Sequence, residues 1–224
     1  MAQLNLATSW QLLRWSHQRA RGVLWRTIDR VLDIRTTPPD RSNPYAPMNV
    51  PPDKPCGWLP VYRALHWVQP GPEDTFLDIG SGHGRAVFLA SLFPFKRVLG
   101  LELSEHLRRT AQQNLSSFRL HRHAPIEFVS GDAVTYKIPS EVTIIFMYNT
   151  LRGSDFCCFV QQMFESIDLF PRCVKFIYLN PFEHDYLMNT GRCQLVKRFR
   201  GWRPGKEWAR TLSIHVYYVH PVKL

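Results

Sequence analysis

No stretch of this chain approaches the roughly 18–20 consecutive apolar residues that a membrane-spanning helix requires, so no bilayer-spanning helix is expected from it. Cysteine is sparse: Cys56, Cys157, Cys158, Cys173 and Cys193 are odd in number and form no C-x-x-C pair. That pattern argues against a disulfide framework or a zinc site and for reduced thiols in a cytosol-like compartment. Cys157-Cys158 falls inside a predicted helix, where packing is the expected role. His121 and His123 flank Arg122 with no cysteine or carboxylate at ligand spacing, so no metal is expected. No serine sits in a nucleophile-elbow pattern. Internal repeats and low-complexity tracts are absent, and no acid precedes Asp29.

What is present is an ordered composition, 45% hydrophobic and 21% charged over 224 residues. This length suits one α/β domain with an appendage. The net charge of +10 is uneven. Residues 1–35 hold six Arg against two Asp, and residues 192–224 hold eight basic residues against one acid. Residues 71–191 hold eleven basic and thirteen acidic residues, so the middle of the chain is near neutral. Basic ends suit nucleic acid, an anionic lipid surface or an acidic substrate, and they equally suit plain solubility.

Residues 8–34 read as one basic amphipathic helix, with Trp10, Leu13, Leu24, Ile28, Val31 and Leu32 at roughly helical spacing. Three roles stand open for it: a cap packed on the domain, a helix lying on a membrane surface, or an organelle presequence. Residues 36–60 are too rich in proline for helix or interior strand and form a stiff connector, from which Tyr45 or Trp58 can reach over a site. The organisation expected is therefore an N-terminal helix over 1–35, a connector over 36–60 and one domain over 61–224.

From there strands and helices alternate as βαβ units demand. A short helix is predicted near 60–69. Strands are predicted at 75–80, 97–102, 126–130, 142–148 and 173–179, with helices at 84–93, 105–119 (Ser104 as N-cap) and 154–168. Pro181 to Gly191 reads as a broken stretch. Strands over 194–202 and 210–219 form a closing hairpin through Arg203-Pro204-Gly205-Lys206.

The most informative segment is Phe-Leu-Asp-Ile-Gly-Ser-Gly-His-Gly at 76–84. Three alternate glycines directly after an apolar run let a backbone approach a small molecule closely. Eighteen residues past Gly84, the run Val98-Leu99-Gly100-Leu101 ends in Glu102, an acid placed to grip a ribose diol. A dinucleotide fingerprint would read G-x-G-x-x-G, and here the third glycine comes one residue early. Asp78 would also repel a pyrophosphate, whereas it suits a cofactor that presents a cation.

These residues resemble the first motif of the class I S-adenosylmethionine-dependent methyltransferases, [DE]-x-G-x-G-x-G, and the resemblance extends through Glu102 and Gly131-Asp132-Ala133 over about residues 70–220. It implies a Rossmann-like α/β fold: a seven-stranded mixed sheet with a C-terminal β-hairpin, here preceded by an N-terminal helical extension. It implies S-adenosylmethionine as cofactor, with Asp78 serving the methionine amino group and Gly80, Ser81, Gly82 and Gly84 lining the methionine part. Glu102 would take the ribose hydroxyls, Leu103 would lie on the adenine face, and Asp132 and Ala133 would meet the adenine edge. A plain turn is the competing reading of Asp132. Arg85, in the first turn of a helix, suggests an acidic substrate nearby or a salt bridge to a neighbouring loop.

The strand over 142–148 ends in Tyr148-Asn149-Thr150, the place where many methyltransferases meet their acceptor. Tyr148 and Asn149 are the expected catalytic pair: Tyr148 stacking or hydrogen-bonding, the Asn149 carbonyl holding an amine. Capping of the next helix is the plainer role for Asn149. The [DNS]-P-P-[YFW] motif of many N-methyltransferases is missing, and its nearest look-alike is Asn180-Pro181-Phe182. The loop Gly-Ser-Gly-x-Gly-Arg followed by Gly-x-Glu is loosely similar to small protein-lysine methyltransferases. A protein lysine and a small molecule are both compatible acceptors. A nucleic-acid methyltransferase and a methyltransferase fold that binds a partner without turnover are the alternatives. The expected location is cytoplasmic, peripheral to a membrane or in an organelle if the source is eukaryotic.

Overall fold

The computed structural model describes residues 23–36, 55–199 and 213–222. Residues 23–32 form the helix α1. There follow α2 (Trp58–Val68), β1 (Thr75–Ile79), α3 (Arg85–Ala90), β2 (Arg97–Glu102), α4 (Glu105–Ser117), β3 (Ile126–Ser130), β4 (Val142–Tyr148), α5 (Gly153–Leu169), β5 (Val174–Leu179), α6 (His184–Asn189), β6 (Cys193–Phe199) and β7 (Ile214–Val219). The strands form one sheet in the order β3-β2-β1-β4-β5-β7-β6. β7, inserted between β5 and β6, runs antiparallel to both of them. The expected seven-stranded mixed sheet is therefore present.

Side chains alternate faces along a strand, and here both faces are apolar. Phe76, Val98, Ile144, Phe146, Ile177 and Val216 meet α1 to α4 on one side. Leu77, Leu99, Ile145, Met147, Phe176 and Tyr217 meet α5, α6 and the turn after β3 on the other. A sheet covered on both faces explains why the central strands read as continuous apolar runs. Residues 23–36 join the first of these cores through Leu32 and Ile34, beside Trp58 from α2. Trp58 is itself buried.

Two differences from the expected elements have physical reasons. The stretch from Pro181 to Gly191 contains α6, a six-residue helix with one buried residue, Leu187. So short a helix, bracketed by proline and glycine, carries no periodic signal. Helix α2 opens at Trp58 rather than at residue 60, with Gly57 as its N-cap. The N-cap expected at Ser104 is present, its Oγ accepting from Leu107 N at a long 3.5 Å. Residues 8–22, Tyr45 and the hairpin turn at 203–206 lie outside the described residues, as do the ends of the two last predicted strands at 200–202 and 210–212.

Candidate functional site

In open α/β sheets a ligand sits beyond the carboxyl ends of the strands, where the strand order reverses. Here that place lies between β1 and β4. Asp78 pairs in register with Gly100, so Glu102 stands two residues farther along the adjacent strand, on the same face. Asp78 is 3% exposed and Glu102 8%. Burial first, and the charge of Glu102 second, push the Asp78 carboxyl well above its ordinary value of 3.8. Two carboxylates gathered in one buried corner call for a cation.

The loop between β1 and α3 is shaped to leave that corner open. Gly80, Gly82 and Gly84 all have positive φ. A Cβ on Gly80 would come within 2.4 Å of the Thr150 side chain, and one on Gly84 within 2.8 Å of Phe128. Both positions therefore require glycine by conformation and by space. Gly80 N and Ser81 N each donate to Leu101 O at 2.9 Å, which fastens the loop to the end of β2. The Glu102 carboxylate completes the fastening: Oε2 accepts from Gly82 N at 2.7 Å and Oε1 from Ser104 N at 2.8 Å. A carboxylate offers about four acceptor sites, so a fixed pair remains for a diol.

The other expected cofactor residues fall around this frame. Leu103, expected on the adenine face, is 69% exposed. Asp132 is exposed, and its Oδ1 accepts from Val134 N at 2.9 Å, closing a turn after β3. That bond is the plain-turn role, and it leaves the other carboxylate oxygen outside the turn. Ala133 is buried against the core. Ser81 differs: its Oγ is buried without a hydrogen-bond partner and lies 2.9 Å from where a Cβ of Gly100 would stand, beneath the loop. Its backbone, not its hydroxyl, shapes the site.

The residues present fit S-adenosylmethionine: the buried Asp78 would suit its ammonium, the glycine loop would floor its methionine part, and the braced Glu102 would suit its ribose. When bound, that cofactor supplies an activated methyl group on a sulfonium.

At the acceptor side, Tyr148 pairs with Leu179, so Asn149 and Asn180 follow at neighbouring strand ends. Both have positive φ, 52° and 57°. Thr150 Oγ1 donates to Ile79 O at 2.7 Å and thereby ties the end of β4 to the end of β1. The Asn149 carbonyl is not open to an amine as expected. Its Oδ1 accepts from Arg152 Nη2 at 3.0 Å and from Asn180 Nδ2 at 3.3 Å, which engages both lone pairs. The Arg152 guanidinium also lies 3.9 Å over the Phe182 ring and reaches the Tyr178 hydroxyl at 3.3 Å. Burial, ahead of the opposing effect of Arg152, pushes that hydroxyl up to about 12.

The sequence reading named Thr150 and Asn180 only as members of motifs and gave Gly100 no role, whereas Thr150 meets Ile79, Asn180 meets Asn149, and Gly100 leaves room for Ser81. Each acts through a contact with a residue distant in sequence, which no local pattern announces. Among the described residues no group of three or more His, Cys, Asp or Glu side chains could hold a metal ion, and no helix is long and apolar enough to cross a membrane. No disulfide joins the cysteines among the described residues.

Comparison with solved structures finds the same fold. An RNA methyltransferase from Salinibacter ruber in complex with S-adenosyl-L-homocysteine aligns at TM-score 0.51 and 20% identity, covering 76% of this chain and 96% of that one. A TehB-like SAM-dependent methyltransferase from Corynebacterium glutamicum aligns at TM-score 0.52 and 16% identity, covering 72% and 87%. By sequence, the chain is 26% identical over 141 residues to a histone-lysine N-methyltransferase, H3 lysine-79 specific, of Drosophila melanogaster. It is 33% identical over 90 residues to a protein so described from Caenorhabditis elegans. The matches cover 58% and 35% of this chain but only 8% and 10% of those proteins. The model of the family described as histone methylation protein DOT1 matches residues 61–190, more than half of the chain. With Asp78, the glycine loop and Glu102 arranged as above, the chain belongs to the histone methylation protein DOT1 family and so to the class I S-adenosylmethionine-dependent methyltransferases.

Proposed function

We propose that this chain transfers the methyl group of S-adenosylmethionine to a lysine of a protein, with the cofactor held by Asp78, the Gly80–Gly84 loop and Glu102. The observation that carries the cofactor part is the buried carboxylate pair beside a loop that only glycine can form. The lysine part is supported by the family and by relatives described as lysine specific. The histone itself is not carried over, because this chain spans about a tenth of those relatives.

Alignment of acceptor, methyl group and sulfur is the main task of such a site. In this reading Tyr148 and Asn149 position the acceptor, supported by their place at the end of β4 beside β1. A lysine must shed a proton before it can attack. The Arg152 guanidinium, fixed on Phe182 and Asn149, is a cation at that mouth. A nearby like charge disfavours the ammonium form and so favours the free amine. No dedicated base is required in this scheme.

The test is transfer of tritiated methyl to lysate proteins, RNA and metabolites in parallel, followed by hydrolysis of the labelled fraction. Label recovered as methyl-lysine is the expected result. Label confined to RNA or to small molecules would refute the lysine reading, and S-adenosylmethionine bound but never turned over would point to a binding protein.

A further inference from the structure

Arg85 opens α3 directly after Gly84, yet its side chain is 3% exposed and turned into the protein. Its Nε donates to Thr36 Oγ1 at 2.8 Å, its Nη1 to Cys56 O at 2.8 Å and its Nη2 to Asp29 Oδ2 at 3.4 Å. The guanidinium also lies 5.1 Å from the Trp25 ring and 5.3 Å from that of Trp58. Asp29 in turn accepts from Thr36 N at 3.1 Å and from Thr36 Oγ1 at 2.9 Å. On the other side of Gly84, Asn114 of α4 joins the same segment to the loop. Its Nδ2 donates to Arg35 O at 3.2 Å and to His83 O at 3.1 Å, while its Oδ1 accepts from Arg35 N at 2.8 Å.

Residues 29–36 are therefore fastened to the loop on both flanks of its last glycine, through His83 and through Arg85. All of these partners except Arg85, His83 and Asn114 lie outside the 61–190 family match. Apolar packing alone would hold a helix on the domain at least as well as a buried ion pair does. What a fork of directed donors adds is a fixed orientation at its point of attachment.

We infer that Arg85 and Asn114 are positioning residues through which the segment 29–36 sets the shape of the glycine loop, so that docking of this segment and binding of S-adenosylmethionine are linked. The inference rests on the cofactor lying over that loop. Linkage is reciprocal: whatever factor the docked segment contributes to cofactor affinity, the cofactor must return to docking.

The experiment uses the full chain and S-adenosylmethionine or S-adenosylhomocysteine as probes. Arg85→Lys keeps the charge and removes the fork; Asn114→Ala removes the second fastening without stranding a buried charge. Both should weaken binding at least about fivefold, the lower end of common coupling between sites. The loss should fall on the KM for S-adenosylmethionine more than on kcat. In the wild type, S-adenosylhomocysteine should slow hydrogen exchange at residues 29–36, and Asn114→Ala should reduce that protection. Should Arg85→Lys fail to fold, Asn114→Ala and the wild-type exchange measurement decide the matter. Wild-type affinity in the folded variants, or exchange at 29–36 indifferent to the cofactor, would overturn the inference while Glu102→Ala still binds poorly. Undiminished binding by Glu102→Ala would instead remove the cofactor site on which the inference stands.

Discussion

Asn180 donates from Nδ2 to Asn149 Oδ1 across 3.3 Å, joining two residues that both sit in the left-handed region at neighbouring strand ends. Positive φ is uncommon for a residue with a side chain and clusters at sites where geometry matters. The bond, together with Arg152, fixes the Asn149 amide.

Loss of Asn149 should therefore be felt in the transfer step. Asn149→Ala is expected to reduce kcat far more than affinity for S-adenosylmethionine, the pattern of an interaction used during transfer. Asn180→Ala should do the same more weakly, up to roughly 10²-fold if the acceptor shifts by about 1 Å. Steady-state kinetics beside calorimetry separates the two effects, and unchanged kcat in both variants would remove this pair from the acceptor site.

Glu102 is braced by Gly82 N and Ser104 N before any ligand arrives. Glu102→Ala loses the ribose acceptors and lets the loop go, so binding of S-adenosylmethionine should weaken by about 1.5–3 kcal/mol, the range for hydrogen bonds to a charged group. Glu102→Gln should still accept a bond at its carbonyl and so lose less. Equal affinities for wild type and both variants, measured by calorimetry, would contradict the assignment.

Asp78 should stand for a trade between stability and binding. Burial and then Glu102 raise its pKa in the folded chain above 3.8. The unfolded chain gives up that proton first, so stability present at low pH is lost as the pH climbs from 3.8 through the raised value. Asp78→Asn escapes the loss. The unliganded variant should melt higher than wild type near neutral pH yet bind S-adenosylmethionine more weakly. Within the same window a cationic ligand should drive the carboxyl to ionise, and calorimetry in buffers of different ionisation enthalpy should register proton release. A lower melting temperature in the variant would refute the stability half.

On the far side of the sheet, His215 Nδ1 and His184 Nδ1 both reach the Tyr217 hydroxyl, at 3.0 and 2.7 Å. Burial, then the charges of Arg198 and His184, hold His215 down to about 4 from an ordinary 6.5. A histidine kept neutral in the native state contributes stability that is whole above 6.5 and is lost as the pH falls from there toward 4. Urea midpoints between pH 7 and pH 4.5 should therefore fall in wild type and fall less in His215→Gln. Parallel curves for the two proteins would show that acid loss originates elsewhere.

Much of this molecule was legible in its sequence because the signals were local. Gly80, Gly82 and Gly84 announce a turn whose positive φ values favour glycine, and the apolar runs of β1, β2 and β4 announce strands covered on both faces. Asp78 and Glu102 stand at strand ends, and the spacing between them is one βαβ unit. The unread part depends on distance in the chain. The side chain above Gly80 belongs to Thr150, the partner of Arg85 is Asp29, and the clasp on His83 comes from Asn114. Arg85 looked like a loop cation awaiting an acid, and the acid proved to lie in the helix before the domain. The Asn149 carbonyl is engaged by Asn180, 31 residues away, and also by Arg152 only three residues on, a local partner that carries no recognisable pattern.

The bond from Arg85 to Asp29 spans 56 residues, and that from Asn114 to Arg35 spans 79. On a ribosome adding about 5–20 residues per second, Asp29 emerges roughly 3–11 s before Arg85 does. During that interval Trp25 has no Arg85 guanidinium to lie against. The N-terminal segment is thus the first part of the described chain to be made, and it must outlast the synthesis of 56 to 79 further residues before Arg85 and Asn114 exist to receive it.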